Sequence, residues 1–580
     1  MLTKMRRLYS LYFILCVMSC GPLFAQRDAA SLEGRIVDTS GAIIPHAAVT
    51  ATETSTNFTY RATSDASGAW TISPVRIGTY RVSVSAPGFK TNIEGPITLD
   101  VQQRQRVDAT LQLGEVSQTV EVHDSAPLLQ TDTSETGQVV AAKTIVGLPL
   151  NGRNSVQLAQ LTVGVTVSEP GARDATGFGF SASGARSLDN NFLLDGVDNN
   201  SNLPDLLNEA NYVVMPPPDA LQEFKIETGN YDAEFGRATG AIVNATTKGG
   251  SNDLHGVAYE FLRNQSFDAM NYFDTSKAPY RQNQFGATLG GRIIRNKLFF
   301  FVDYQGLLLN EAQSNTSLVP TVAERAGDFS SQLDLTSPTG VNDCNGNPTY
   351  QGELFNTRLT QATDGGTGYC GVPFGYTSSG IPSNVIPTSA IDPLGAKLVQ
   401  LFPLPNATGL GYNYQSDPVT TQTTHQGDVR IDEVISPHDT AFYRFSMSTS
   451  PETIGSPFPG LADGGGFFDG IQQITAYSGA ASEAHVFAAH KVNEVRVGYN
   501  HLHTSRYQLN YQTDVSAVVG FPGVPDPAGS DNGGLPQMTF SDVATLGSPN
   551  VPAGCRGSND LLRFRHLYAD SRQRYIQVRR

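Results

Sequence analysis

Beyond residue 25 no apolar run approaches the roughly 20 residues that a helix needs to cross a bilayer. A chain of this kind can span a membrane only as a closed β-barrel, where every backbone donor and acceptor is paired between strands. The first 25 residues read as an export signal. Lys4, Arg6 and Arg7 form a positive start, and Leu8 to Met18 is an apolar stretch too short to span. Pro22-Leu23-Phe24-Ala25 then offers a cleavage site before Gln26. A rival cleavage box, Val17-Met18-Ser19-Cys20, would leave Cys20 acylated. Either way the chain is directed out of the cytoplasm.

The 39 Lys+Arg against 54 Asp+Glu give a net charge of −15, with no basic block outside the first residues. Nucleic acid is thereby excluded as the main partner, because phosphate binding needs clustered cations. Charged residues make up only 16% of the chain, while Gly, Asn, Ser, Thr and Tyr are plentiful. That balance suits β-structure with long loops better than helical bundles.

Residues 32–113 read as a small all-β unit. Leu32 to Asp38 alternates and meets the turn Ser40-Gly41; Ala47 to Thr54 and Phe58 to Thr63 are further strands. Asp65-Ala66-Ser67-Gly68 is turn chemistry before Trp70-Thr71-Ile72, and Gly78 to Ser85 alternates cleanly before Pro87-Gly88-Phe89. Short strands with turn signals so closely spaced predict a sandwich. The pattern Gly34…Asp38…Gly41…Pro45…Ala48-Val49, then Asp65-x-x-Gly68-x-Trp70, then Gly78-x-Tyr80…Gly88-Phe89, resembles the carboxypeptidase regulatory-like domain. The resemblance implies a prealbumin-like, carbohydrate-binding-like sandwich and no peptidase activity.

Residues 114–124 form a polar extended connector, in which Ser117-Gln118-Thr119-Val120-Glu121-Val122 alternates like an edge strand. It can be captured by another protein through strand addition, or be the last strand of the sandwich, or a plain linker. Residues 125–252 mix short helices, strands and Gly/Asn turns. Four passages stand out: Leu148 to Arg153, Asn191 to Val197, Pro218 to Ile226 and Tyr231 to Asn244. Asp219 is placed to cap a short helix opening at Ala220. In this order and spacing the passages resemble the plug of TonB-dependent receptors, nearest to the Oar-like branch. Leu254 to Asn264 resembles that family's first barrel strand.

From 254 onward the segments suit barrel strands: Gln284 to Ile293, Lys297 to Gln305, Gly427 to Val434, Thr440 to Ser448 and Val492 to His501. Each has about the 9–11 residues that a tilted strand needs. Ala441-Tyr443-Phe445-Met447 against Phe442-Arg444-Ser446-Ser448 gives the outward-apolar, inward-polar alternation. Residues 307–420, rich in Pro, Gly, Asn, Ser and Thr, read as a long extracellular loop, as do 452–470 and 521–554. At most about ten strands follow residue 254, against the 22 of large outer-membrane transporters. The basic tail Arg572 to Arg580 lacks a terminal aromatic strand, so an incomplete barrel is expected over 253–580.

No enzyme motif is present: there is no His-Glu-x-x-His, no phosphate loop, and Gly177 to Gly184 misses the nucleophile-elbow spacing. No cofactor is implied. His501 and His503 share one strand face, where they read as polar lumen residues rather than metal ligands. Asp343-Cys344-Asn345-Gly346-Asn347 reads as a loop turn, since it lacks the terminal Glu of a calcium loop. Cys344 and Cys370 flank a flexible stretch and are either bridged or two unpaired thiols; Cys555 has no obvious partner.

The resemblance implies the remaining roles. Ser117 to Val122 stand where a TonB box would lie. Asp195, Gly196, Gly236, Arg237 and Gly240 carry the plug motif. Arg153, Arg186 and Arg237 are candidates for buried plug–barrel ion pairs. The fold class expected is mainly β: sandwich, mixed plug, partial antiparallel barrel. The function implied is active uptake across the outer membrane, with the sandwich and plug on the periplasmic side. Its partners would be TonB, outer-membrane lipid and a ligand that is an iron chelate, an oligosaccharide or a peptide. The alternative is a surface protein that holds glycans on its loops and sandwich.

Overall fold

The computed structural model describes residues 30–547 apart from 115–118, 123–134, 168–178, 202–210, 232–234, 237, 271, 273–276, 360, 363–368, 463–469, 489–490, 511–512 and 521–533. The export signal, Cys555 and the basic tail lie outside the described residues.

Alternating apolar positions build the first unit. Strands β1 (Ala30–Asp38), β2 (Ala48–Glu53), β3 (Thr59–Thr63), β4 (Ala69–Val75), β5 (Gly78–Ser85), β6 (Thr91–Leu99), β7 (Arg104–Arg106), β8 (Ala109–Leu111) and β9 (Thr119–Val122) form two sheets. One has the order β4-β1-β7, with β8 also on β1; the other runs β3-β2-β5-β6-β9. Leu32, Ile36, Val49, Trp70, Tyr80, Val82, Val84 and Leu111 meet between them. Each fully buried side chain of this size contributes about 1.5–3 kcal/mol relative to exposure. This sandwich core is what fixes the strands so tightly after such short turns.

The second unit is a mixed sheet. It takes in β10 (Thr136–Ala141), β11 (Val165–Val167), β12 (Phe180–Ala182), β13 (Asn191–Leu194), β14 (Val197–Asp198), β15 (Leu221–Gly229) and β16 (Ile242–Thr247). The main order is β10-β15-β16-β13-β14, with β13 parallel to β16; β11 and β12 pair separately. Where a helix opening at Ala220 was expected, a single 3-10 turn Pro218–Ala220 leads straight into β15. Burial decides this: Leu221, Phe224 and Ile226 pack into one cluster with Val140, Phe192, Leu194, Val243 and Ala245. Asp219 therefore caps nothing and turns instead to Arg153.

The third unit is one antiparallel sheet of long strands. It opens with β17 (His255–Asn264), β18 (Tyr280–Ile294) and β19 (Leu298–Ala312). The chain then makes β20 (Asn315–Ser317), β21 (Asp334–Asn342), β22 (Pro348–Gln351), β23 (Gln361–Ala362), β24 (Tyr369–Cys370) and β25 (Tyr414–Ser416) outside that sheet. It returns as β26 (Val419–Ser436), β27 (Asp439–Ile454), β28 (Gly470–Ala488) and β29 (Lys491–Tyr507). The order is β17-β18-β19-β26-β27-β28-β29, with β17 and β29 at the edges. Strands β18, β19 and β26 to β29 have 15 to 19 residues. They exceed the roughly 9–11 residues of a bilayer crossing and so project beyond it.

Connections at one end of this sheet are short: Ile294 to Leu298, Ser436 to Asp439 and Ala488 to Lys491. At the other end they are long and carry a core of their own. Val319, Phe402, Tyr414, Phe458, Val515, Leu535 and Leu546 form a buried cluster drawn from 307–420, 452–470 and 521–554 and from the short helix Val515–Val519. Thr321 and Glu324 make a reciprocal capping box on the helix Val322–Arg325. Cys344 and Cys370 are joined as a disulfide across this region. Beside them Asp343 closes a turn. Its Oδ1 accepts from the backbone N–H groups of Asn345 at 2.7 Å and Asn347 at 2.9 Å, and its Oδ2 accepts from the Tyr376 hydroxyl. Burial pushes this carboxyl up, but those donors outweigh it and hold it below the usual range.

Candidate functional site: the plug–barrel clamp

Chain alternation sorts the two faces of the large sheet. Tyr443, Phe445 and Met447 on β27 are 40–48% exposed, whereas Arg444 and Ser446 between them are buried. The buried face carries Asp303, Gln305, Asp428, Asp432, Arg496 and Asn500, a polar wall against which the mixed sheet packs. His501 lies on the opposite, outward face: its ring stacks on Tyr477 at 6.0 Å, and Tyr477 stacks on Phe445 at 6.3 Å. The expectation of a lumen histidine is thus corrected, because strand register places it with the aromatic band.

The wall and the mixed sheet meet at the tip of the β13–β14 hairpin. Leu194 pairs with Val197, leaving Asp195-Gly196 as a two-residue turn in which both φ angles are positive, +49° and +68°. Such a turn matches the twist of its strands, and Gly at its second position accepts the left-handed backbone without strain. The tip carries the Asp195 carboxylate into the wall with no solvent exposure at all.

Two guanidiniums and Thr247 converge on that carboxylate. Arg430 Nη1 lies 2.9 Å from Oδ1 and Arg444 Nε 2.8 Å from Oδ2. The backbone N–H and the hydroxyl of Thr247 donate at 2.9 Å to Oδ1 and Oδ2 respectively. Arg496 Nη1 donates to the Asp195 carbonyl at 2.9 Å, and Asn500 donates to the Asp198 carbonyl. Asp432 at 3.1 Å balances Arg430, Glu494 balances Arg496, and the Phe442 ring lies 4.6 Å from the Arg430 guanidinium. Charges buried this far are tolerated only when paired, and each guanidinium here has a carboxylate within ion-pair distance. Val197 then packs with Phe442 and Ala480, and Val213 and Val214 with Ala476 and Leu502.

Of the plug-motif residues, Gly240 is required by close approach: a Cβ there would overlap the Asn190 side chain, whose amide holds Phe180 and Ala241. Gly236 meets no such restriction and its carbonyl accepts from Asn191. Arg237 lies outside the described residues. Arg153 does not make the expected ion pair to the barrel. It pairs with Asp219 within the second unit and presents its face to Tyr259 at 4.7 Å and Phe261 at 4.2 Å on β17. Arg186 makes no ion pair with any described residue. The cations of the clamp come from the barrel instead, from Arg430, Arg444 and Arg496, which sequence reasoning did not single out. Their only local signal was an Arg at an inward position of an alternating strand.

Ser117 and Gln118 lie outside the described residues. Thr119 to Val122 form β9, paired in parallel with Thr91 to Glu94 as the edge strand of the sandwich. The sandwich in turn rests on the short-turn end of the large sheet. Arg76 donates to the Ala441 carbonyl at 3.0 Å and lies 3.5 Å from Asp432. Ser55 accepts from the Asn252 N–H at 3.1 Å, and Gln102 from Lys225 on the plug at 3.1 Å. A cavity of about 360 Å³ remains between the three units, lined among others by Arg76, Thr247, Gly250, Arg430, Asp432 and Arg496.

Comparison with known proteins places this geometry. The outer membrane beta barrel domain family matches residues 246–561, just over half of the chain, and the carboxypeptidase regulatory-like domain matches residues 31–112. The TonB-dependent transporter Oar of Myxococcus xanthus is 27% identical over 344 residues, covering 55% of this chain and 31% of that protein. The chain therefore spans about a third of the length of the curated relative it matches. Among solved structures, the outer membrane transporter YddB from Escherichia coli is 10% identical with a TM-score of 0.40, covering 71% of this chain and 42% of that one. The siderophore receptor PirA from Acinetobacter baumannii is 13% identical with a TM-score of 0.38, covering 71% and 43%. This chain belongs to the outer membrane β-barrel family, is similar over part of its length to the TonB-dependent transporter Oar, and carries a carboxypeptidase regulatory-like sandwich ahead of its barrel sheet.

Proposed function

We propose that the chain serves TonB-dependent uptake of a ligand across the outer membrane. In this reading residues 125–252 are the plug, and residues 117–122 are the segment that TonB takes hold of. The observation that carries it is the Asp195 clamp: a sheet seated on a barrel wall chiefly by ion pairs and hydrogen bonds. Such a contact can be exchanged for water when the plug moves, at less cost than tearing an apolar core. Short turns at one end and long connections at the other support a periplasmic position for the sandwich, as in outer-membrane barrels generally. Strand β9 has one described neighbour, so a partner strand can add to its other edge.

Deleting residues 117–122 is expected to abolish uptake while leaving surface binding intact. Cells carrying the chain would be offered labelled iron chelates, oligosaccharides and short peptides, with Val120→Pro as a second variant that removes a strand donor. Uptake that persists undiminished in both variants would remove TonB coupling through this segment.

A further inference from the structure

Asp439, Glu483 and His485 come together at the short-turn end of β27 and β28, outside the clamp. Register sets Asp439 directly opposite His485, and Glu483, two residues along β28, points to the same face. One donor atom from each lies within 4.8 Å of the others, and all three residues are half-buried. Their neighbours orient them. The Ser436 hydroxyl donates to Asp439 Oδ2, the other carboxylate oxygen hydrogen-bonds His485 Nδ1, and the Phe487 ring meets the imidazole edge-on at 4.2 Å. An Asp–His hydrogen bond accounts for two of the three. Glu483 makes no hydrogen bond or ion pair among the described residues, so its carboxylate is available as a third donor.

We propose that these three side chains form a binding site for a divalent transition metal of the zinc class. Two carboxylate oxygens and one imidazole nitrogen make up a three-ligand set with a fourth position left to water. The nitrogen donor favours zinc over calcium or magnesium, which take oxygen ligands only and in greater number. The two carboxylates offset the charge of the ion. Ser436 and Phe487 do what the outer contacts of metal sites do, fixing the orientation of a ligand carboxylate and a ligand ring. Because the ligands sit on adjacent strands, sheet register alone brings them together, with no loop to be ordered. The ion would tie β27 to β28 at the rim, where the outward face passes from Tyr443 and Phe445 to charged residues.

The test is a calorimetric titration of the full chain, folded in detergent micelles and free of any affinity tag, with zinc chloride. Expected are one zinc per chain and a loss of affinity of at least about tenfold in His485→Gln and in Glu483→Gln. Calcium and magnesium in excess should not displace the metal. His438→Gln, which removes a nearby imidazole outside the trio, should bind as the parent does. Circular dichroism of each variant establishes that it is folded. Absence of saturable zinc binding, parental affinity in either ligand variant, loss in His438→Gln, or displacement by calcium each overturns the assignment.

Discussion

Replacing Asp195 by alanine is expected to release the mixed sheet from the barrel wall while leaving both units folded. The carboxylate is fully buried between Arg430 and Arg444. Its removal strips the fully buried Arg444 of its ion-pair partner and leaves Arg430 with Asp432 alone. Breaking a buried pair in this way costs about 3–5 kcal/mol, mostly through the charge left behind. Hydrogen exchange of the full chain in micelles reads this directly. Amides of β13 to β16 should exchange on the order of a hundredfold faster, while those of the sandwich strands stay as protected as before. Asp195→Asn, which keeps an acceptor for the Thr247 N–H but not the charge, should fall between the two. Protection unchanged in the alanine variant would mean that the ion cluster does not seat this sheet.

Phe224→Ala is expected to have a comparable effect by a different route. Phe224 is buried at the centre of β15 among Phe192, Leu194, Val243 and Ala245. Truncating an aromatic ring at such a position costs about 3–5 kcal/mol, in lost transfer energy and in the cavity left behind. Here the sheet itself should come apart, including β10, which in Asp195→Ala should remain paired with β15. Limited proteolysis distinguishes the cases: cleavage inside β15 and β10 is expected for Phe224→Ala only. Equal resistance in the two variants would show that the apolar cluster adds little to the sheet. One face of the mixed sheet is a compact apolar core.

Much of the architecture can be read locally because it rests on period-two alternation. The sandwich strands announce themselves through Tyr80, Val82 and Val84, and β27 through Tyr443, Phe445 and Met447. Strand β28 escaped notice because Gly479, Ala480, Ala481, Ser482 and Ala484 have small side chains and weak strand preference. The ordered core in the long connections was illegible for another reason. Phe402, Tyr414, Phe458 and Leu535 come from separate segments, and none of them sits in a periodic run. The clamp was half legible. Asp195-Gly196 is visible as a turn, but its partners Arg430, Arg444 and Arg496 lie 235 to 301 positions away, and no local pattern joins them. His501 was misassigned because alternation gives two faces without saying which is outward. The aromatic stacking of Tyr477 decides it.

Force applied ahead of the mixed sheet is expected to reach the Asp195 clamp before it disturbs the barrel strands. Single-molecule pulling tests it without knowledge of the ligand. The chain would be held in a supported bilayer and drawn from a handle attached at Ala30. Extension of the segment 30–252 at forces below those that extract β17 to β29 is the predicted record, with the first plug event shifted to lower force by Asp195→Ala. Extraction of barrel strands before the plug extends, or a plug event that Asp195→Ala leaves unmoved, would contradict the account.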